Sequence, residues 1–195
     1  MLPVVLHELD SLQTSFQGHQ YCLDHTDSCV KMVFQLGKGK VGRLIFDRSM
    51  FMDGSSARQP SRLKELWEAG CQMKLVQPLG GPYARMHAKS LMFDKKVLLT
   101  GSVNLTHNGH ENNKEHMFRI TEPTTVAAVV EDFERDWEEA EAVTQSLMDA
   151  MLRTADNRRQ QRDKSRSVSR SLSMERPCGH SHSSEHAEIE PDTGT

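Results

Sequence analysis

At 195 residues, 36% apolar and 26% charged, the chain has the size and make-up of one ordinary domain plus a tail, and needs no staples to bury a core. A net charge of −3 excludes a globally basic body, the usual footprint of a nucleic-acid binder, and leaves only local basic patches for such work. Four cysteines (Cys22, Cys29, Cys71, Cys178) without a CxxC pair point to free thiols in a reducing compartment and away from a disulfide framework.

The apolar run 1–6 is interrupted by Pro3 and ends at His7 and Glu8, far short of the roughly 20 residues that span a bilayer, so no anchor or secretory signal is expected. Residues 1–20 form a poorly defined segment. Residues 27–36 read as a helix capped by Asp27 or Ser28, and residues 41–47 as a strand that follows the turn at Gly37 and Gly39. Pro60 then opens a helix with Leu63, Leu66 and Trp67 on one face, stopped by Gly70, before a strand at 71–77. Helix and strand alternate, which is an α/β pattern.

After a Pro- and Gly-rich loop at 78–82, residues 85–93 and 97–100 read as a hairpin around Asp94, Lys95 and Lys96. Residues 116–120 make another strand. Pro123 starts a helix whose Val126, Val129, Val130, Phe133, Trp137 and Ala140 recur at helical spacing and predict a core stripe. From residue 154 apolar side chains nearly vanish, in keeping with the mean hydropathy of −0.60, and 154–195 is expected to be disordered. Its first part is basic, with seven Lys/Arg against Asp163 and Glu175 between 158 and 176, and its last part, 177–195, holds four acids and no Lys or Arg. The Arg/Ser stretch 164–173 reads as a solvated linker, with docking on anionic lipid or RNA as the functional alternative. Cys178, His180, His182 and His186 read as a His-rich tail more readily than as a Zn²⁺ or copper site.

The chemistry concentrates in one place. In a strand His87 and Lys89 would face the same way with Cα atoms roughly 6.5 Å apart. An imidazole can attack phosphorus, and an ammonium beside it neutralises the non-bridging oxygens. Beyond the hairpin, Gly101, Ser102 and Asn104 offer a flexible backbone, a hydroxyl and a carboxamide to the same phosphate. Six specified residues at fixed spacing arise by accident in such a chain with odds on the order of one in a hundred thousand.

The run His87-x-Lys89, Asp94, Gly101-Ser102-x-Asn104 resembles the HKD signature of the phospholipase D superfamily, without a gap, and the likeness extends over residues 21–150. Asn112-Asn113-Lys114-Glu115 is similar to the run that follows the signature in short, single-motif members, which include cardiolipin-cleaving enzymes and bacterial endonucleases. The resemblance implies a mixed β-sheet flanked by helices, with the catalytic domain at 21–153 and the tail at 154–195. It implies His87 as nucleophile, Lys89, Asn104 and Ser102 on the phosphate, Glu115 behind the imidazole, and Asp94 and Gly101 in support, with no metal and no cofactor. A reaction needing two histidines and one motif per chain implies a homodimer.

The sequence departs from the family at Leu105, where an aromatic is common, at His116, and at the opening strand, for which 16–23 is the best stretch. The membrane anchor of the cardiolipin-cleaving member has no counterpart, so the chain is expected inside the cell, in the cytoplasm or at a mitochondrial surface. Phospholipid cleavage is the leading expectation because the body is acidic. Single-strand endonuclease activity and an inactive scaffold are the alternatives. His107 and His110 read as loop residues near the site.

Overall fold

The first half of the chain forms α1 (Leu2–Asp10), β1 (Ser15–Gln20), α2 (Thr26–Gly37), β2 (Val41–Asp47), α3 (Arg48–Asp53), α4 (Gln59–Glu68) and β3 (Gln72–Val76). The second half forms β4 (Ser90–Phe93), β5 (Val97–Gly101), α5 (His107–Glu111), β6 (Met117–Ile120), α6 (Pro123–Glu139), β7 (Glu141–Ala142) and α7 (Gln145–Met174). This computed structural model describes residues 2–53, 56–77, 80 and 84–174, the backbone alone from 167. Most of the loop 78–83 and the His-rich stretch 178–186 lie outside the described residues.

The strands form one mixed sheet in the order β6-β5-β4-β1-β2-β3-β7. β1, β2 and β3 run parallel, while β4, β5, β6 and β7 join through antiparallel pairs. Alternation along the strands sends side chains to two cores. Leu44, Phe46, Leu91, Phe93 and Leu99 join the larger, with Val5, Leu9, Met32, Leu63, Leu66 and Met151 from the helices. Ile45, Met92 and Leu98 point the other way, onto Val126 and Phe133 of α6. The sheet is covered on both faces, which is why β2 reads as a nearly unbroken apolar run. The mixed sheet flanked by helices is the architecture expected from the sequence.

β1 overlaps the stretch 16–23 offered for the opening strand, and is the strand whose sequence shows least of its place in the fold. Its sequence, Ser-Phe-Gln-Gly-His-Gln, lies inside the segment that sequence left undefined, yet it occupies the centre of the sheet and is buried from Phe16 to Gln20. The missing apolar pattern is replaced by hydrogen bonds. Arg43 donates to Gln17, Gln20 Nε2 donates to the Ser90 carbonyl at 3.0 Å, and the His19 ring lies between Ser90 Oγ at 3.2 Å and Asp136 of α6 at 2.9 Å. Gly18 permits the approach to β4, because a Cβ there would stand 2.0 Å from the Ser90 carbonyl oxygen.

Other differences are local. α2 begins at Thr26, and the His25 side chain, not Asp27 or Ser28, accepts the capping bond, from Ser28 N. Asp27 sits in the first turn, where its charge suits the helix dipole. In α6, Val126 and Phe133 are buried, Val129, Val130 and Trp137 pack partly against them, and Ala140 is the C-cap. The chain divides into units of residues 1–160 and 161–195. α7 runs past residue 153, where disorder was expected to start, to Met174. A polar composition argues against burial, but without Pro or Gly it does not argue against a helix. No helix among the described residues is long and apolar enough to cross a membrane.

Gly18→Ala is expected to lower stability by about 1–3 kcal/mol, the usual cost of overpacking. Urea unfolding would show a lower midpoint at unchanged slope, and an unchanged midpoint would refute the close β1–β4 approach.

Candidate functional site

The hairpin that carries the motif turns through Asp94 and Lys95, with φ of 53° and 55°, closed by Lys96 N donating to the Phe93 carbonyl at 2.9 Å. Two consecutive left-handed residues match the right-handed twist of the flanking strands. The Asp94 carboxylate accepts from the backbone N–H of Gln13 (2.9 Å), Thr14 (2.6 Å) and Ser15 (3.0 Å) and from Thr14 Oγ1 (2.8 Å). Burial alone would raise its pKa, but these donors outweigh burial and hold it below the ordinary value. Asp94 therefore ties the turn to the entrance of β1.

The expected strand at 85–93 is shorter than the sequence suggests: β4 starts at Ser90, and His87 and Lys89 precede it in irregular backbone. Ladder pairing begins at Ser90 with Thr100, so the expected pleated geometry of the His-x-Lys pair does not apply. The segment is held by other means. The buried Asp47, at the end of β2, accepts from Met86 N at 2.8 Å, and Thr100 Oγ1 donates to the Lys89 carbonyl at 3.0 Å. Lys89 Nζ folds back to donate to the His87 carbonyl at 2.7 Å, and Lys89 is only 7% exposed. Desolvation lowers the Lys89 pKa, while the Glu115 carboxylate opposes that shift. His87 is exposed, and partial desolvation followed by the Lys89 charge lowers its pKa against the pull of Asp47.

Gly101 closes β5 opposite Met117, where a Cβ would meet the His116 carbonyl oxygen at 2.0 Å. Ser102 N donates to that carbonyl at 3.0 Å, and Ser102 Oγ accepts from His116 N at 3.1 Å and donates to Glu115 Oε2. Asn113 Nδ2 donates to the other Glu115 oxygen at 3.2 Å. The hydrogen bonds of Glu115 within the chain thus go to Ser102 and Asn113, and not to its own His87 ring. The hydrogen bond from Ser102, then that from Asn113, hold Glu115 below the usual carboxylate range.

Tyr21, just beyond β1, meets His87 edge to face with ring centroids 4.4 Å apart, and Lys89 Nζ lies 5.0 Å from the centre of the same ring. Tyr21 and Asn104 line a cleft of about 550 Å³ that continues past Asp24, Arg58 and His107. That volume falls in the range of small-ligand sites. The buried side-chain oxygen of Asn104 has no hydrogen-bond partner among the described residues. Asp24 braces the cleft, accepting from His107 N at 2.9 Å and Ser56 Oγ at 2.6 Å. His110 packs against His25 instead, with centroids 4.7 Å apart, and burial lowers its pKa to about 4. Burial pushes the Cys22 thiol up to about 12, which removes it as a nucleophile. Among the described residues no group of three or more His, Cys, Asp or Glu is placed to hold a metal ion.

A family model described as "Cardiolipin synthase, PLD-like domain" matches residues 5–137. The chain belongs to the phospholipase D superfamily. It is 40% identical to the mouse mitochondrial cardiolipin hydrolase over 79 residues, 40% of this chain and 34% of that protein. Against the human mitochondrial cardiolipin hydrolase it is 37% identical over 79 residues, 30% of that protein. The matches thus span about a third of the length of these relatives. Two solved structures share the fold at 18% identity. One is Nuc, a phospholipase D family member from Salmonella typhimurium, with a TM-score of 0.65 over 74% of this chain and 91% of that one. The other is NucT from Helicobacter pylori, with a TM-score of 0.66 over 73% and 90%.

Within this phospholipase D fold, sequence reasoning missed Tyr21, Asp47 and Asp24. A signal existed for Asp47 and Tyr21: each ends a strand of the parallel trio at its carboxyl end, where open α/β sheets place their sites. Tyr21 stayed hidden because the stretch 16–23 showed the strand only faintly and gave its end no functional mark.

Two substitutions test the local electrostatics of the phospholipase D motif. In Ser102→Ala the Glu115 pKa, followed by carbon-13 NMR of its carboxyl, is expected to rise toward the ordinary value, and no movement would show that Ser102 does not hold the carboxylate. Asp94 contributes stability that is present above the unfolded-state carboxyl pKa of about 4 and is lost as pH falls through its lower folded value. Asp94→Asn is expected to cost about 1–3 kcal/mol at pH 7 and to flatten the acid limb of the stability curve. Identical acid limbs in the two proteins would overturn that assignment.

Proposed function

We propose that this chain is a phosphodiester hydrolase of the phospholipase D type, working through a phosphohistidine on His87 in a homodimer, with a cardiolipin-like phospholipid as substrate. The observation that carries the reading is that Tyr21, whose ring touches His87 and Lys89, lines one open cleft with Asn104, in a member of the phospholipase D superfamily. The substrate class is supported by the relatives named as mitochondrial cardiolipin hydrolases, and their name also supports placement at a mitochondrial surface.

In the proposed reaction a ring nitrogen of His87 attacks phosphorus and the bond to the leaving alkoxide breaks. The alkoxide takes a proton from the His87 of a second copy. That second imidazole then removes a proton from water, whose oxygen attacks phosphorus, breaks the P–N bond and releases a phosphomonoester. Lys89 and the Asn104 carboxamide offset the charge that builds on the non-bridging oxygens. Glu115 stabilises the Lys89 cation and, through Ser102, the turn that presents Asn104. A lowered pKa keeps His87 neutral near pH 7, the state that attacks.

A second reading, a single-strand endonuclease with the same chemistry, is favoured by Asn104, Asn108, Asn113, Arg58 and His107 in the cleft wall, whose donors suit a sugar–phosphate backbone. The inactive-scaffold reading rested on a weak opening strand, and β1 is instead the central strand of the sheet.

Purified protein given cardiolipin, phosphatidylcholine and single-stranded DNA or RNA separates the readings. Cardiolipin hydrolysis is expected, and cleavage of nucleic acid alone would replace the lipid reading with the endonuclease. His87→Asn is expected to reduce turnover by at least about a thousandfold and to abolish the acid-labile phosphoenzyme. Activity that survives this substitution, or a fully active monomer in sedimentation, would overturn the mechanism.

A further inference from the structure

The geometry points to Tyr21 as a positioning residue that holds the His87 imidazole and the Lys89 ammonium in register within each chain. The inference rests on the phosphodiesterase reading and deepens it. Three observations carry it. His87 lies outside the ladder that starts at Ser90, so no strand fixes its side chain. The Glu115 carboxylate is occupied by Ser102 and Asn113. The Tyr21 ring touches both motif side chains, the imidazole edge to face at 4.4 Å and 71° and the ammonium 5.0 Å from its centroid.

Each contact restricts one degree of freedom. An edge-to-face pair disfavours rotation of the imidazole away from its partner, because the positive edge of one ring then leaves the negative face of the other. The ring quadrupole attracts the ammonium and leaves its N–H groups free to bond, one of them already taken by the His87 carbonyl. Tyr21 is half-buried, and its own placement comes from β1, which is locked to β4 through Gly18, His19 and Gln20. The aromatic wall also removes water from one side of the imidazole, in the same direction as the desolvation that lowers the His87 pKa. The ring, and not the hydroxyl, performs this role, which sets Tyr21→Phe apart from Tyr21→Leu.

Steady-state kinetics on the full chain and NMR titration of His87 test the assignment, with the His87 ring signal identified by its loss in His87→Asn. Tyr21→Leu is expected to lower kcat about tenfold to a hundredfold, the scale of a small misplacement of reacting groups, with KM within about twofold of the parent. Its His87 pKa should move up toward the ordinary 6.5, carrying the acid limb of the pH–kcat profile with it. Tyr21→Phe should restore most of the turnover and the parent pKa. A Tyr21→Leu protein with parental kcat and parental His87 titration would overturn the inference, as would a Tyr21→Phe protein as impaired as Tyr21→Leu. If the parent chain cleaves no phosphodiester, the functional reading fails by itself, and the titration still decides whether Tyr21 shapes the His87 environment.

Discussion

The seam between β1 and β4 is the constraint on which the rest of the molecule depends. On one side lie the parallel strands β1, β2 and β3, and on the other the antiparallel strands β4, β5 and β6. The ladder across the seam is short, pairing Phe16 with Phe93 and Gln17 with Met92. Asp94 fastens one end of it by gathering donors from residues 13–15, and Gly18, His19 and Gln20 fasten the other end on Ser90. The parallel half delivers Tyr21 and Asp47, while the antiparallel half delivers Lys89, Ser102 and Asn104. A displacement of one half against the other would separate the Tyr21 ring from His87 and Lys89, so the seam fixes the site as much as the fold.

That arrangement explains how a cation and a neutral imidazole coexist at close range. Burial pushes both Lys89 and His87 toward their uncharged forms, and the Lys89 charge adds to the push on His87. For the lysine, the Glu115 carboxylate opposes that push, and the pKa starts high enough for the charge to survive near neutrality. For the histidine, Asp47 opposes it, but that carboxylate also serves Met86 and Met50 through their N–H groups. The two motif residues therefore separate by protonation state. One stays a cation suited to phosphate oxygens and the other keeps a free electron pair.

How much of this is legible in the sequence depends on where the stabilising interactions are local. β2 is found to the residue because its apolar run signals a strand covered on both faces, and α4 because Pro60 and Gly70 mark its ends. The motif hairpin is legible too, since Asp94 and Lys95 form its turn. β1 is legible only faintly, as the stretch 16–23, because Gln17, His19 and Gln20 are buried through partners 26 to 117 residues away in the chain, and no local pattern announces such bonds. The same long reach hides the hold of Asp47 on Met86 and of Asp24 on His107. Residues 154–174 differ in the opposite sense, where a composition read as lacking tertiary burial still supports the backbone bonds of α7.

One consequence of the motif occurring once per chain concerns symmetry. In the proposed homodimer both His87 rings share the same surroundings, so both are neutral before substrate arrives, yet the reaction asks one to attack and the other to donate a proton. The protein supplies no difference between two identical copies. The substrate does: a phosphodiester anion bound between the rings stabilises an added proton on whichever imidazole does not attack, since an opposite charge within a few ångströms favours the protonated form. An imidazole with a depressed pKa suits this division, because it takes the proton only when the anion is present and leaves the opposing ring nucleophilic. The solvent-facing position of His87 beside the Tyr21 ring leaves the imidazole open to substrate in either role.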